Sequence, residues 1–105
     1  MKAAALRPQA KRDLCDITAH YRNEGGETLA LEWADAIEAA LHQLADFPTT
    51  GSTRYAAITG IEGLRSRPMN RFPYLIFYIE GATVDVLRVL HASRDLPERM
   101  RGRVP

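Results

Sequence analysis

The chain has 105 residues, 46% hydrophobic and 26% charged, with a formal net charge of +1. Those values describe one globular domain with a single core. They exclude a disordered chain, and no apolar run approaches the roughly 20 residues that cross a bilayer. The opening MKAAALRP leaves too little room between Lys2 and Arg7 for a signal peptide, so a cytoplasmic location without membrane contact is expected. The single Cys15 excludes an intramolecular disulfide. Lying beside Leu14 and near Ile17, it is expected to be a small buried side chain.

The low net charge hides an asymmetry. Residues 1–53 carry five basic and eight acidic side chains; residues 54–105 carry nine basic and five acidic, and all nine are arginine. Guanidinium groups suit bidentate contact with carboxylate or phosphate. On charge alone the second half is either a solvated surface or a binding patch.

In chain order, Lys2 to Arg7 reads as a short strand. Pro8 suits the first turn of a helix. Ala10, Leu14, Ile17 and Tyr21 then fall at spacings of three and four on one helical stripe. Gly25-Gly26 ends that helix. A second carries Leu29, Trp33, Ile37, Leu41 and Leu44 on one side and stops before Pro48. Two helices joined by Gly-Gly make an antiparallel hairpin, with Trp33 in the core.

Residues 48–60 read as a loop. Residues 63–68 form a short strand with Arg65 and Arg67 on one side. Residues 74–80 form the strongest strand, aromatic or aliphatic on both faces until Glu80. Gly81-Ala82 reads as a two-residue turn, and residues 83–91 form the returning strand. Both faces of the 74–80 strand are apolar, so it should be central and covered on both sides. The hairpin covers one face, which leaves the other for a partner chain. The expected architecture is α+β, in the order β-α-α-β-β-β: an N-terminal strand and a two-helix antiparallel hairpin packed on a small antiparallel sheet, all in one domain.

Little catalytic machinery is visible. His20, His42 and Cys15 lack metal-ligand spacing, and neither a phosphate-cradling glycine loop nor a G-x-S-x-G elbow occurs. No cofactor, metal or catalytic residue is assigned. Asp13 and Asp16 lie three apart on one helix and read as solvated charges. What remains is a basic set at one end of the hairpin: Arg65, Arg67, Arg88, His91 and Arg94. Such a set can hold a phosphate backbone, or assist its cleavage, or hold an acidic protein surface. Sequence chemistry leaves these open.

The order of elements resembles the ParE branch of the RelE/ParE toxin superfamily. The residues that carry the resemblance are the hairpin ending at Asp46-Phe47-Pro48, Gly63-Leu64-Arg65, the Tyr-rich strand, and Val89-Leu90-His91 followed by Arg94-Asp95. The resemblance implies a toxin of a type II toxin–antitoxin module. RelE-type members cut mRNA on the ribosome with basic residues and a Tyr near the C-terminus. Here Tyr74 stands where their central strand carries Arg, and Met100 stands where they carry that Tyr; Arg94 alone matches. ParE-type members are described as poisons of DNA gyrase. The resemblance thus implies gyrase interference without hydrolysis or sequence-specific DNA binding. The alternatives are a RelE-like ribosome-dependent endoribonuclease and a non-toxic binding module of the same fold. It also implies a ParD-like antitoxin in a hetero-oligomer, for which Leu29, Trp33, Ile37, Tyr74 and Tyr78 are the expected anchors.

Overall fold

The computed structural model describes residues 3–93. Strand β1 (Ala4–Leu6) leads into a helical stretch, Pro8–Asp46, followed by a 3-10 turn, Pro48–Thr50. The helical stretch breaks at Gly25 (φ −137°) and Gly26 (φ 72°, ψ −166°) into α1 (8–24) and α2 (27–46). The Gly26 conformation is one that a side chain resists. In one straight helix, residues twelve apart lie about 18 Å apart. The Tyr21 and Trp33 rings are instead 5.7 Å apart, and Arg22 Nε meets Glu27 Oε1 at 2.6 Å across the turn. The two arms therefore form the expected hairpin. After it come α3 (Arg54–Thr59), β2 (Leu64–Pro68), β3 (Tyr74–Glu80) and β4 (Val84–His91).

The strands form one sheet in the order β1-β4-β3-β2. The fold is α+β with the expected element order, and one detail differs from a purely antiparallel sheet. β2, β3 and β4 are antiparallel, whereas β1 pairs parallel with residues 84–86 of β4. The returning turn also has three residues, since Glu80 pairs with Val84.

Each sheet face has its own apolar cluster. Ile17, Trp33, Ile37 and Leu44 of the hairpin pack on Ile76, Tyr78, Val84, Val86 and Val89. On the other face Leu64, Phe77, Leu87 and Leu90 meet Tyr55, Ala56 and Ile61, with the Tyr55 and Phe77 rings 5.4 Å apart. The segment expected to be a plain loop thus holds α3, which packs on β2 and Phe77 over part of the face expected to meet a partner chain. Short apolar runs such as Tyr55 to Ile58 are too brief to declare a helical period.

β4 departs from strict alternation. Phe77 pairs with Arg88 but Tyr78 pairs with Val86, so Leu87 is an extra residue in the ladder. The shift puts Val84, Val86 and Val89 in the hairpin cluster and Leu87 and Leu90 in the α3 cluster. Arg88 lies at this irregularity, and its guanidinium is 5% exposed. Its Nε and Nη2 donate to Asp13 Oδ2 and Oδ1 at 2.8 and 2.9 Å. The Val89 N–H donates to Asp13 Oδ2 at 3.0 Å. β1 pairs only as far as Val86, so beyond it the α1 carboxylate occupies the edge of β4 in place of a strand. Asp13, which read as a solvated charge, is a buried bidentate partner, whereas Cys15, expected inside, is exposed on the far side of the stripe.

Candidate functional site

Of the five basic candidates, Arg88 is removed from any exposed patch by its pairing with Asp13. Arg94 lies outside the described residues, as does Met100. Arg67, at the C-terminal end of β2, and His91, at the C-terminal end of β4, share one end of the sheet. Arg65 sits further in on β2, opposite Tyr78. With strands about 4.8 Å apart, His91 and β2 are separated by roughly 10 Å. His91 packs edge-on against Tyr74, ring centroids 5.4 Å apart. Its Nδ1 accepts the Ser93 N–H at 3.2 Å, which places the proton of the neutral ring on Nε2.

Arg65 and Arg67 lie on the hairpin side of the sheet, on its edge strand β2. Arg65 Nη1 donates to the carbonyls of Thr49 and Gly51 at 3.1 and 2.9 Å. The buried Tyr78 hydroxyl donates to the Pro48 carbonyl at 2.8 Å and accepts the Gly51 N–H at 3.1 Å. Together they fasten the turn that follows α2. Gly51 is required there by sterics alone: its φ is an ordinary −72°, but a Cβ would collide with the Tyr78 hydroxyl. Burial pushes the Tyr78 phenol above its ordinary value, against the lowering effects of the Gly51 N–H and the nearby Arg65 and Arg67 charges.

Arg67 donates to Thr50 Oγ1 at 3.2 Å and to Gln43 Oε1 at 3.3 Å. Beside it a cleft of about 210 Å³ runs between α2 and the 67–71 segment. One wall is Ala36, Ala39, Ala40 and Gln43, and Ile76 lies beneath. At its far end the Arg71 guanidinium is 5.6 Å from the Phe72 ring centroid and 3.3 Å from Glu32. Sequence reasoning missed this cleft, because its wall is alanine at 36, 39 and 40.

The expected anchors are placed differently. Trp33 is 1% exposed, Ile37, Tyr74 and Tyr78 are also buried, and Leu29 is half-buried against the hairpin cluster. Tyr21, Trp33, Phe72 and Tyr74 form one aromatic group with centroid separations of 5.1 to 6.3 Å. The stripe chosen for its aromatics is the core itself. The surface beside it carries alanines and arginines.

The family model for the ParE toxin of type II toxin–antitoxin systems matches residues 5–96. The chain belongs to the ParE toxin family. Toxin ParE1 of Caulobacter vibrioides is 30% identical over 95 residues, which are 89% of this chain and 92% of that protein. The fold is also that of a chain from the chromosomal ParDE toxin–antitoxin system of P. aeruginosa. That likeness has a TM-score of 0.74 at 21% identity and covers 89% of this chain and 98% of that one. In this ParE-family toxin, no three His, Cys, Asp or Glu side chains gather as a metal site among the described residues. No helix among them is long and apolar enough to cross a membrane.

Proposed function

We propose that this ParE-family chain arrests growth by interfering with DNA gyrase in the cytoplasm, and that a ParD-like antitoxin neutralises it in a hetero-oligomer. The observation that carries this reading is the family match across residues 5–96, nearly the whole fold. The reading is of an inhibitor that acts by contact. Tyr74, at the position where RelE-type nucleases carry Arg, is a core aromatic packed on Trp33 at 5.3 Å. A phenol carries no positive charge with which to hold a phosphate, and this one is fixed in the core. The target-contacting residues are Arg67 and His91, half-buried at one end of the sheet, with Arg65 further in on β2. Disordered antitoxin tails suit such a small toxin, because coupled folding lets a short segment cover a large surface.

The test is induced expression of the chain with and without its antitoxin, followed by supercoiling and mRNA-integrity assays on the same cultures. Growth should slow with the chain alone and recover with the antitoxin, and supercoiling should fail while message stays intact. Codon-positioned cuts in translated message, lost in Arg94→Ala, would replace gyrase with the ribosome. Normal growth at confirmed soluble expression would remove the toxin reading.

A further inference from the structure

The cleft between α2 and the 67–71 segment has the wrong size for a small molecule and the right size for part of a peptide. Its volume is about 210 Å³, below the roughly 300–1,000 Å³ typical of small-ligand pockets. That space holds one or two apolar side chains. The alanine wall brings the α2 backbone close, and Ile76 and Met69 supply an apolar floor.

The rim is cationic. Arg67 donates to neutral oxygens of Thr50 and Gln43 at 3.2 and 3.3 Å, and these bonds do not neutralise its charge. Arg71 has an acidic partner, Glu32, but at 3.3 Å with both side chains well exposed. Pairs of that kind are worth about 0–1 kcal/mol and exchange readily. A ligand with an apolar centre and flanking carboxylates matches both the floor and the rim.

The strand edge beside the cleft excludes the other common mode of peptide capture. Addition of a strand to β2 needs outward-facing amides. The Leu64 N–H is given to the Ile61 carbonyl at 3.2 Å, Ser66 exchanges both of its backbone bonds with Ser52 at 2.8 and 2.9 Å, and Pro68 has no N–H. β2 is thus a guarded edge, and a partner arriving here must bind through side chains.

We infer that this cleft receives an acidic segment of the antitoxin, with one apolar side chain over Ile76 and carboxylates on Arg67 and Arg71. The inference rests on the antitoxin proposed above and adds where and by what chemistry it docks.

The test uses the full chain and its cognate antitoxin, with affinity measured by calorimetry at two salt concentrations. Ala39→Trp fills the cleft from an exposed helix position, and Arg67→Glu reverses the rim charge. Each should weaken binding at least tenfold, and Arg67→Glu should also flatten the salt dependence. Leu31→Trp, exposed on another side of α2, should bind as wild type. Thermal melting checks that each variant is folded; if Ala39→Trp is not, Arg67→Glu decides. Wild-type affinity in folded Ala39→Trp and Arg67→Glu would overturn the docking site and leave the antitoxin reading standing. Failure of the wild-type chain to bind would overturn both.

Discussion

Arg88 and Arg67 sit on the same sheet, two strands apart, and have opposite fates. Arg88 is buried against a carboxylate that satisfies it at 2.8 and 2.9 Å and also holds the next backbone N–H. Arg67 is half-buried at the end of β2 and meets neutral oxygens at 3.2 and 3.3 Å. The first guanidinium spends its charge inside the molecule, and the second meets no carboxylate in these bonds. Burial and the chemistry of the acceptor, rather than the presence of arginine, separate a structural cation from one whose charge stays unpaired in its own bonds.

The sharpest way to break that comparison is to cut the buried pair. Removing one member strands a charge in the core, at a cost of about 3–5 kcal/mol. Arg88→Ala and Asp13→Ala should each lower stability by that order in denaturant titrations. Asp13→Ala also leaves the Val89 N–H without its acceptor, a further loss of about 1–3 kcal/mol. The double variant should lose much less than the sum of the two single losses, because each single change removes the same contact. Additive losses would mean that Asp13 and Arg88 do not act as a unit.

The turn after α2 gives a smaller effect. Gly51→Ala drives a methyl into the Tyr78 hydroxyl and should cost about 1–3 kcal/mol, the usual penalty for overpacking. Tyr78→Phe should cost about 1 kcal/mol for its hydrogen bonds. Combined with Gly51→Ala, it should recover part of the Gly51 loss, because the colliding oxygen is gone. The phenol also carries a pH signature. Its folded value is raised above the ordinary 10.0 by burial, so the fold favours the protonated form. The associated stability is full below pH 10 and is lost as pH rises through the higher folded value. Wild type should therefore lose more stability than Tyr78→Phe between pH 9 and pH 11; equal loss would mean that the phenol ionises freely in the fold.

Much of this fold was legible as pattern. The 3–4 spacing of Ala10, Leu14, Ile17 and Tyr21, the Gly-Gly break, and the two-faced apolar strand at 74–80 were enough for a hairpin on a sheet. Three features were hidden because they depend on contacts across the chain. The extra residue at Leu87 breaks a two-residue period without any glycine or proline to mark it, and so Arg88 was placed on the surface with His91. The burial of Asp13 required a strand edge 75 residues away. The helix α3 is only six residues long and hides in a polar segment. The site was legible to a lesser degree. Arg65 and Arg67 were marked by alternation in β2, but the anchors were sought among aromatics that the core consumes, while the cleft is lined by alanines that carry no chemical signal of their own.

The smallest expected effect is the most informative for the Arg67 side of the comparison. Arg65 and Arg67 are two residues apart on one strand, yet Arg65 holds two backbone carbonyls of the 49–51 turn. Arg65→Gln should cost about 1–1.5 kcal/mol, near the lower bound for hydrogen bonds made by charged groups. It should also speed amide exchange at Gly51, whose carbonyl then loses its restraint. Arg67→Gln should change stability by less than about 0.5 kcal/mol, the range of surface substitutions that break no buried feature, and leave exchange in the turn as it was. If Arg67→Gln instead destabilises the chain as much as Arg65→Gln, its bonds to Thr50 and Gln43 are part of the scaffold. The guanidinium would then have to abandon that scaffold to meet an acidic partner, and its stability contribution would be subtracted from any affinity gained.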